Sequence, residues 1–300
     1  MQGFLRNILS LFVVLLMLAG NQTHAQVKVQ VVTQVITKSI YWESGRTLRV
    51  QAERAEIYCT TQPSDSIELN IQFIAKNENR KIAEADLKKM KWLIETSGKK
   101  VFLRNYIELK RNESRPESDI KVIYHIKVPQ GCAVNLNNYF GKIDVANVNS
   151  GLTISSEFSG IKLQNIHGKT TIETTFGDVT GRGIDGELQI ISKRSNIQLS
   201  GLSGSISLRS VLADISINEL DEITYVKIDA EKSKVNIKAG NLEKYYFQFN
   251  LSQAELDKPE SMQLAISKNE KETIKASFNN PDNHPLISVD LEIGSLTIEH

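Results

Sequence analysis

The sequence predicts an all-β protein: a right-handed parallel β-helix or β-roll solenoid with coils of about 18 residues and degenerate β caps at both ends. Three observations predict this fold. Aliphatic residues recur 18 residues apart, apolar and polar residues alternate with the period of a strand, and small residues precede each strand. One aliphatic column is Ile143, Ile161, Val179, Ile197 and Ile215, and the other is Val134, Leu152, Thr170, Leu188 and Ile206.

Each half of the repeat predicts one short strand with one buried face. Residues 141–145 and 159–163 share the order small, variable, apolar, polar, apolar. Small residues precede the strands because tight corners favour them, and glycine takes positive φ at little cost. Crossovers between parallel strands are nearly always right-handed, which predicts the handedness. An up-and-down antiparallel barrel is the alternative, but it does not require one residue type to stack in every second strand.

Residues 1–25 have the three parts of a secretory signal peptide. Arg6 is basic, residues 8–19 are apolar, and Thr23 and Ala25 are small residues before the expected cleavage site. The apolar run is shorter than the about 20 residues that span a membrane, so an uncleaved anchor is the less favoured alternative. We therefore expect an exported chain, located in the periplasm, on the outer-membrane surface or outside the cell, with no integral membrane segment after cleavage.

The mature chain divides into three parts. For residues 26–127 the sequence predicts an N-terminal β region that either caps the solenoid or consists of degenerate coils. A short helix is expected within this region, where Glu84 and Lys88 lie four residues apart. Residues 128–240 hold the regular repeat, whose register slips by two after Leu220. Residues 241–300 predict C-terminal β coils and a cap, since uncapped solenoid ends would be exposed sheet edges.

Charge and cysteine content narrow the class of partner. The chain has 36 basic and 35 acidic residues and an isoelectric point of about 7.7, which argues against a nucleic-acid partner. Cys59 and Cys132 are the only cysteines. An oxidising compartment permits a disulfide between them, while two buried thiols that never meet are the equal alternative.

Two patterns that resemble a cofactor or metal site are explained by the repeat. Residues 181–186 match the dinucleotide pattern GxGxxG, but another strand follows where such a site needs a helix. The acidic column Asp178, Asn196 and Asp214 is interrupted by lysine and glycine in neighbouring repeats. The histidines show no ligand spacing. We therefore predict no catalytic, cofactor-binding or metal-binding residues and no cofactor.

Two features of the repeat have both a binding and a packing interpretation. Phe140, Phe158 and Phe176 stack at one predicted corner, where aromatic rings either hold sugar rings or pack on one another. The outward positions form a polar and nearly uncharged strip, which suits a glycan or a solvated sheet face. This strip consists of Asn135, Thr153, Thr171, Gln189 and Ser207.

Residues 122–129, followed by repeated Phe-Gly/Ser-x-Ile units, resemble the bacterial β-strand-repeat domains of unknown function that bear an adhesin label (auto-transporter adhesin head-like). The resemblance covers residues 48–298 and is strongest over residues 128–237. It implies an exported, non-catalytic β-helical protein, and the family has no shared catalytic residues to carry over.

The resulting hypothesis is a cell-envelope protein that is not an enzyme and presents a rigid surface to an unknown glycan or envelope protein. The alternatives are a polysaccharide-active β-helix enzyme and an envelope-stress or assembly factor that acts through protein partners. The outward positions carry Thr, Ser, Asn and Gln rather than clustered carboxylates, which argues against the enzyme.

Overall fold

The computed structural model describes residues 28–270, 272–282 and 284–300; the predicted signal peptide at 1–25 lies outside them. The described part is all-β, with one large sheet that is not closed and one short α-helix. No helix in it is long and apolar enough to span a membrane. The elements are β1 (Gln30–Tyr41), β2 (Thr47–Gln62), β3 (Ser66–Asn77), α1 (Arg80–Lys89), β4 (Met90–Ser97), β5 (Lys100–Ile107), β6 (Asp119–Pro129), β7 (Val134–Ala146), β8 (Leu152–His167), β9 (Thr170–Thr175), β10 (Val179–Lys193), β11 (Ile197–Val211), β12 (Asp214–Lys238), β13 (Tyr246–Asp257), β14 (Ala265–Glu270), β15 (Thr273–Phe278) and β16 (Leu286–Glu299).

The centre of the sheet consists of parallel strands in which each residue pairs with the residue 18 positions later. Ile143 of β7 lies opposite Ile161 of β8, and Val179 of β10 lies opposite Ile197 of β11. The second column pairs in the same way through β9. After Leu202 and Leu220 the register shifts, so that Ile206 pairs with Val226 at an offset of 20. The repeat and its slip are therefore confirmed.

The core lies under the aliphatic columns because alternate side chains of each strand point inward. All five residues of the first column are at most 2% exposed. A third aliphatic column, including Val148, Ile166 and Leu202, is fully buried near a second bend. The apolar side chains thus form one continuous core along the whole sheet.

At the N-terminal end the strands do not follow the order of the sequence. β2 lies between β7 on one side and β5 and β6 on the other; Leu48 pairs with Val134, and Ala55 with Val122. Antiparallel partners then extend the sheet, β4 beside β5 and β3 followed by β1 beside β6. α1 packs against β1 and β3 and buries Ala83 and Leu87.

The C-terminal end has a related arrangement. β16, the last strand of the chain, lies between β12 and β13, with Ile287 paired to Val226 and to Phe247. β15 and β14 then add to β13 as antiparallel strands. At both ends, therefore, a long parallel strand is enclosed by strands distant in sequence, an order that the repeat does not predict.

Candidate binding site at the aromatic corner

A residue with positive φ recurs at one bend of each repeat, within a long strand or directly after a strand end, and these residues form a continuous corner column. Their φ angles lie between 50° and 64° although none is glycine. Such a conformation costs an L-residue roughly 1–2 kcal/mol, so the surrounding contacts must stabilise it. In spatial order, the corner column is Arg54, Phe140, Phe158, Phe176, Arg194, Leu212, Lys232, Ile293 and Gln253.

The residue after each corner is small because the neighbouring backbone lies directly against it. A Cβ atom at Gly141 would collide with the carbonyl oxygen of Ala55, and its φ of 137° also disfavours a side chain. Elsewhere this position is serine, alanine or glycine. The small-residue column in the sequence thus marks the site of close approach between adjacent strands.

Buried polar side chains satisfy the backbone and each other behind the corner. Asn138 Nδ2 donates to the carbonyl oxygen of Ala55 at 2.9 Å and to Ser159 Oγ at 3.2 Å. Ser156 Oγ donates to Thr174 Oγ1 at 3.0 Å. Buried polar groups that are hydrogen-bonded in this way fix local geometry. The corner is therefore internally braced, which holds its outward side chains in a defined arrangement.

The phenylalanines of the corner column form an exposed stack, here called the aromatic corner: Phe140, Phe158 and Phe176. Ring centroids lie 4.8 Å apart between Phe140 and Phe158 and 4.9 Å apart between Phe158 and Phe176, with interplanar angles of 14° and 2°. The Arg194 guanidinium lies 5.4 Å from the centroid of Phe176 and covers that end. All three rings are between 39% and 45% exposed.

This geometry decides between the two interpretations of the stack. Stacked rings cover each other's faces, so Phe158 presents only its edge to solvent. Arg194 occupies the outer face of Phe176. Packing therefore accounts for most of the aromatic corner. Phe140, at the other end, is partly covered by Tyr139, which packs against it in a T-shaped arrangement with ring centroids 4.4 Å apart, and it is the ring of the stack best placed to meet a ligand.

Phe140 lines an open cleft of about 400 Å³ between β7, β2 and β6. Arg54 and Glu56 of β2, Asp119 and Lys121 of β6, and the backbone around Gly141 line the rest. An aromatic ring bordered by carboxylates and cations can hold a polar ligand through stacking and charge-assisted hydrogen bonds. The cleft is therefore the candidate binding site.

Ion pairs fix the charges of the cleft and of the adjoining sheet face. Lys121 pairs with Glu56, which also accepts a hydrogen bond from the Tyr58 hydroxyl at 3.1 Å. The hydrogen bond from Lys121 is the main cause that holds the pKa of Glu56 below its ordinary value. Burial, followed by the bond to Glu56, raises the pKa of Tyr58. Glu56 is thus ionised and Tyr58 protonated at neutral pH.

The sheet face beside the cleft carries further aromatic and cationic groups. The Tyr58 ring stacks on His125 with centroids 5.1 Å apart, and Lys142 Nζ lies 5.1 Å from the Tyr58 centroid. The hydrogen bond from Lys142 to Asp144, 3.1 Å long, raises the pKa of Lys142. This face therefore extends the candidate site with aromatic and cationic groups.

The GxGxxG segment lies within a parallel strand, and the acidic column lies at the starts of the strands. Residues 181–186 belong to β10, with no helix after them. In the acidic column, Asp178 accepts the backbone N–H of Asn196 at 2.8 Å, and Asn196 accepts that of Asp214 at 3.4 Å. These side chains stabilise the turn of the next repeat. Among the described residues there is no group of three or more His, Cys, Asp or Glu side chains placed to hold a metal.

His167 pairs with Asp185, a contact that is not among the expectations from the sequence. His167 Nδ1 lies 3.5 Å from Asp185 Oδ2, and Ser203 Oγ donates to Asp185 Oδ1 at 2.7 Å. A triad needs histidine between serine and aspartate, whereas here aspartate is in the middle and no base contacts the serine. His167, Asp185 and Ser203 are spaced 18 residues apart, and this spacing is the sequence feature that predicts their contact.

The structure places the remaining predicted residues apart from the cleft. Cys59 and Cys132 are buried free thiols, and burial raises the pKa of Cys59 to about 12 and that of Cys132 to about 11. The polar strip from Asn135 to Ser207 is a row of opposed residues on the outer side of the sheet. Its side chains are exposed or half-buried, and it forms a second, flat polar surface.

No family model and no curated protein matches the sequence. A solved structure of a "putative adhesin" from Bacteroides fragilis has 12% identity and a TM-score of 0.43, covering 88% of this chain and 97% of that chain. A "putative adhesin" from Parabacteroides distasonis has 10% identity and a TM-score of 0.44, over 89% and 96%. A "putative lipid binding protein" from the same species has 11% identity and a TM-score of 0.42, over 88% and 94%. Similarity at these values assigns neither a function nor a binding site to this chain.

Proposed function

We propose that this chain is an exported, non-catalytic protein of the cell envelope, an adhesin-like module that binds a glycan. Its parallel strands are proposed to wind as a right-handed β-helix with degenerate caps. The sustained 18-residue offset between paired strands supports this winding, and so does the right-handed rule for parallel crossovers. A β-helix presents its outer surface rigidly, which suits recognition of an extended partner.

The proposal includes export to the periplasm, the outer-membrane surface or the medium, supported by the signal-like residues 1–25. It also includes a division of the mature chain into an N-terminal β region at 26–127, the regular repeat at 128–240 and C-terminal coils with a cap at 241–300. For Cys59 and Cys132, a disulfide and two separate buried thiols both remain predictions, and a thiol count in denaturant on protein isolated from the periplasm would decide between them.

One observation carries the choice of a glycan: Phe140 ends the aromatic corner and lines a cleft whose other walls carry Arg54, Glu56, Asp119 and Lys121. A pyranose ring has an apolar face that stacks on an aromatic ring and equatorial hydroxyls that bond to charged groups. The cleft supplies both kinds of contact side by side. The ion pair between Glu56 and Lys121 fixes these groups before a ligand arrives.

The non-catalytic assignment is supported by the environment of the reactive groups. Ser203 donates to a carboxylate rather than to a base. The carboxylate of Glu56 is held ionised by Lys121, so it is a poor proton donor at neutral pH.

A glycan array followed by calorimetry on residues 26–300 tests the function. Phe140→Ala should weaken binding by at least about tenfold, as loss of a stacking aromatic ring usually does. Phe176→Ala is the matched control, because Phe176 ends the same stack with 45% exposure against 42% for Phe140, but it does not line the cleft.

Three outcomes contradict the proposal. The first is the absence of binding to any acidic or neutral glycan. The second is an equal loss of affinity in both variants, which would place the ligand along the aromatic corner instead of in the cleft. The third is release of cleaved product from a polysaccharide, which would make the protein an enzyme.

A further inference from the structure

β1 is a terminal strand whose outer edge is unpaired in the described part of the chain. It pairs along its whole length of 12 residues with β3, and with no other described strand. A row of unpaired N–H and C=O groups is a template for pairing with another strand. The outward residues of β1 and its approach are apolar or carry a hydroxyl group: Val29, Val31, Thr33, Val35, Thr37, Ser39 and Tyr41.

The outward positions of β1 carry no charge, and Lys38, exposed on the other face of the strand, is its one charged residue. Val31 and Val35 are each 55% exposed, and Tyr41 is 66% exposed. At the opposite end of the sheet, β14 is only six residues long and carries an ion pair between Lys268 and Glu270. Proteins normally shorten or charge such edges to prevent association. With a single lysine in 12 residues, the edge of β1 is less protected than that of β14, which favours a partner strand there.

The sequence of β1 reads nearly the same in both directions around Ile36. Positions equidistant from Ile36 are similar in polarity or in shape: the one charge of the strand, Lys38, matches a polar residue, and Val35 and Thr37 are both β-branched. The matched pairs are Val35 with Thr37, Gln34 with Lys38, Thr33 with Ser39, Val32 with Ile40 and Val31 with Tyr41.

We propose that β1 pairs antiparallel with β1 of a second copy of this chain, with Ile36 on the two-fold axis. Antiparallel pairing about this axis places Gln34 opposite Lys38 and Val32 opposite Ile40, and it places Val35 opposite Thr37, a β-branched residue of similar shape. A shift that centred the pair on Val35 would instead place Lys38 opposite Val32. The near-palindrome therefore selects both the partner and the register.

The same pairing extends the core of each copy. Ile36 is buried, and the half-buried Val32 and Ile40 pack against the core from the inner face of β1. In the dimer these side chains meet their counterparts across the axis. The contact is confined to one strand of 12 residues from each copy, and interfaces below about 1,200 Å² are typical of transient complexes. The dimer is therefore reversible, and it forms with increasing concentration.

Analytical ultracentrifugation of residues 26–300 over a wide concentration range tests the proposal. Val35→Lys should raise the dimer dissociation constant by at least about tenfold, because lysine on an edge opposes strand pairing. Ile266→Lys is the matched control: Ile266 is 58% exposed on the terminal strand β14, and its substitution should leave the constant unchanged.

A second variant tests the register. In the Ile36-centred pair, position 35 faces position 37 of the other copy, so Val35→Lys combined with Thr37→Glu should recover dimerisation lost in Val35→Lys alone. The proposal is overturned if the chain is monomeric at every concentration, since β1 would then serve a different partner. It is also overturned if Ile266→Lys weakens the dimer equally, or if Thr37→Glu gives no recovery.

Discussion

The central strands and the two ends of the sheet use the same corners but different connections. From β7 to β12 each strand pairs with the next repeat, 18 or 20 residues away. At the ends, Leu48 pairs with Val134, and Val226 with Ile287. Arg54, Ile293 and Gln253 nevertheless continue the corner column. The corner geometry of the repeat thus continues at the ends of the sheet, where neighbouring strands are no longer consecutive repeats.

This difference has an energetic meaning. Central pairing closes short segments, whereas pairing at the ends must first close segments of about 60 to 90 residues, which costs more chain entropy. In return, β2 and β16 are each enclosed by parallel partners on both sides. The chain therefore inserts a long strand near each end of the sheet, and the antiparallel strands beyond it form the edges.

The largest effect is expected in the central core. Ile161→Asp or Ile197→Asp buries an unpaired charge, because both side chains are at most 2% exposed, and should cost more than about 4 kcal/mol and prevent folding. Ser207→Lys, on the outer side of the sheet, is the control and should be tolerated. Circular dichroism and urea unfolding measure both; equal costs would mean that the register is wrong.

The corners at the end and in the centre of the sheet are expected to be equally tight. A Cβ atom at Gly294 of β16 or at Gly177 in the centre would collide with a carbonyl oxygen of the neighbouring strand. Both alanine variants should lose about 2 kcal/mol or more in urea unfolding. Gly160→Ala, which meets nothing within 4 Å, should be nearly neutral. A neutral Gly294→Ala would indicate a loose end.

The aromatic corner predicts a smaller effect. Phe158→Ala removes two stacked ring pairs, each contributing roughly 0.5–1.5 kcal/mol, and should lower the free energy of unfolding by about 1–3 kcal/mol. Leu212→Ala, in the same column with similar exposure but outside the stack, should cost less. The same cost in both variants would show that ring stacking does not contribute.

The smallest predicted effect concerns pH. Because the folded-state pKa of Glu56 is lowered, its ion pair stabilises the protein above the ordinary value of about 4.5, and this contribution is lost as pH falls through the folded-state pKa. Glu56→Gln should therefore be less stable than wild type at pH 7, with the gap closing as pH falls below the folded-state pKa of Glu56. Thermal unfolding across this range measures the gap; a constant gap would contradict the assignment.

The sequence predicts the central strands well because their pairing is local and periodic. Columns such as Ile143 to Ile215 fix the register, and the slip after Leu220 is visible as two extra residues. The places of β2 and β16 were not predictable, because their partners lie far away in sequence and no periodic signal links them.

The candidate site was predictable in part. The stacking of Phe140, Phe158 and Phe176 follows from their spacing, and the structure shows which ring faces are covered. The cleft was not predictable, because it joins Arg54 and Glu56 of β2 to Lys121 of β6 and to Phe140 of β7. These strands become neighbours because β2 lies between β6 and β7 at the N-terminal end of the sheet.

The central claim is that the end strands β2 and β16 belong to the same cooperative core as the central strands. Native-state hydrogen exchange tests it most directly, since it reports the opening free energy of each strand. We predict that amides of β2 and β16 exchange as slowly as those of β11, and that β14 exchanges faster. Exchange of β16 or β2 well before β11 would contradict the claim and show that the ends open independently.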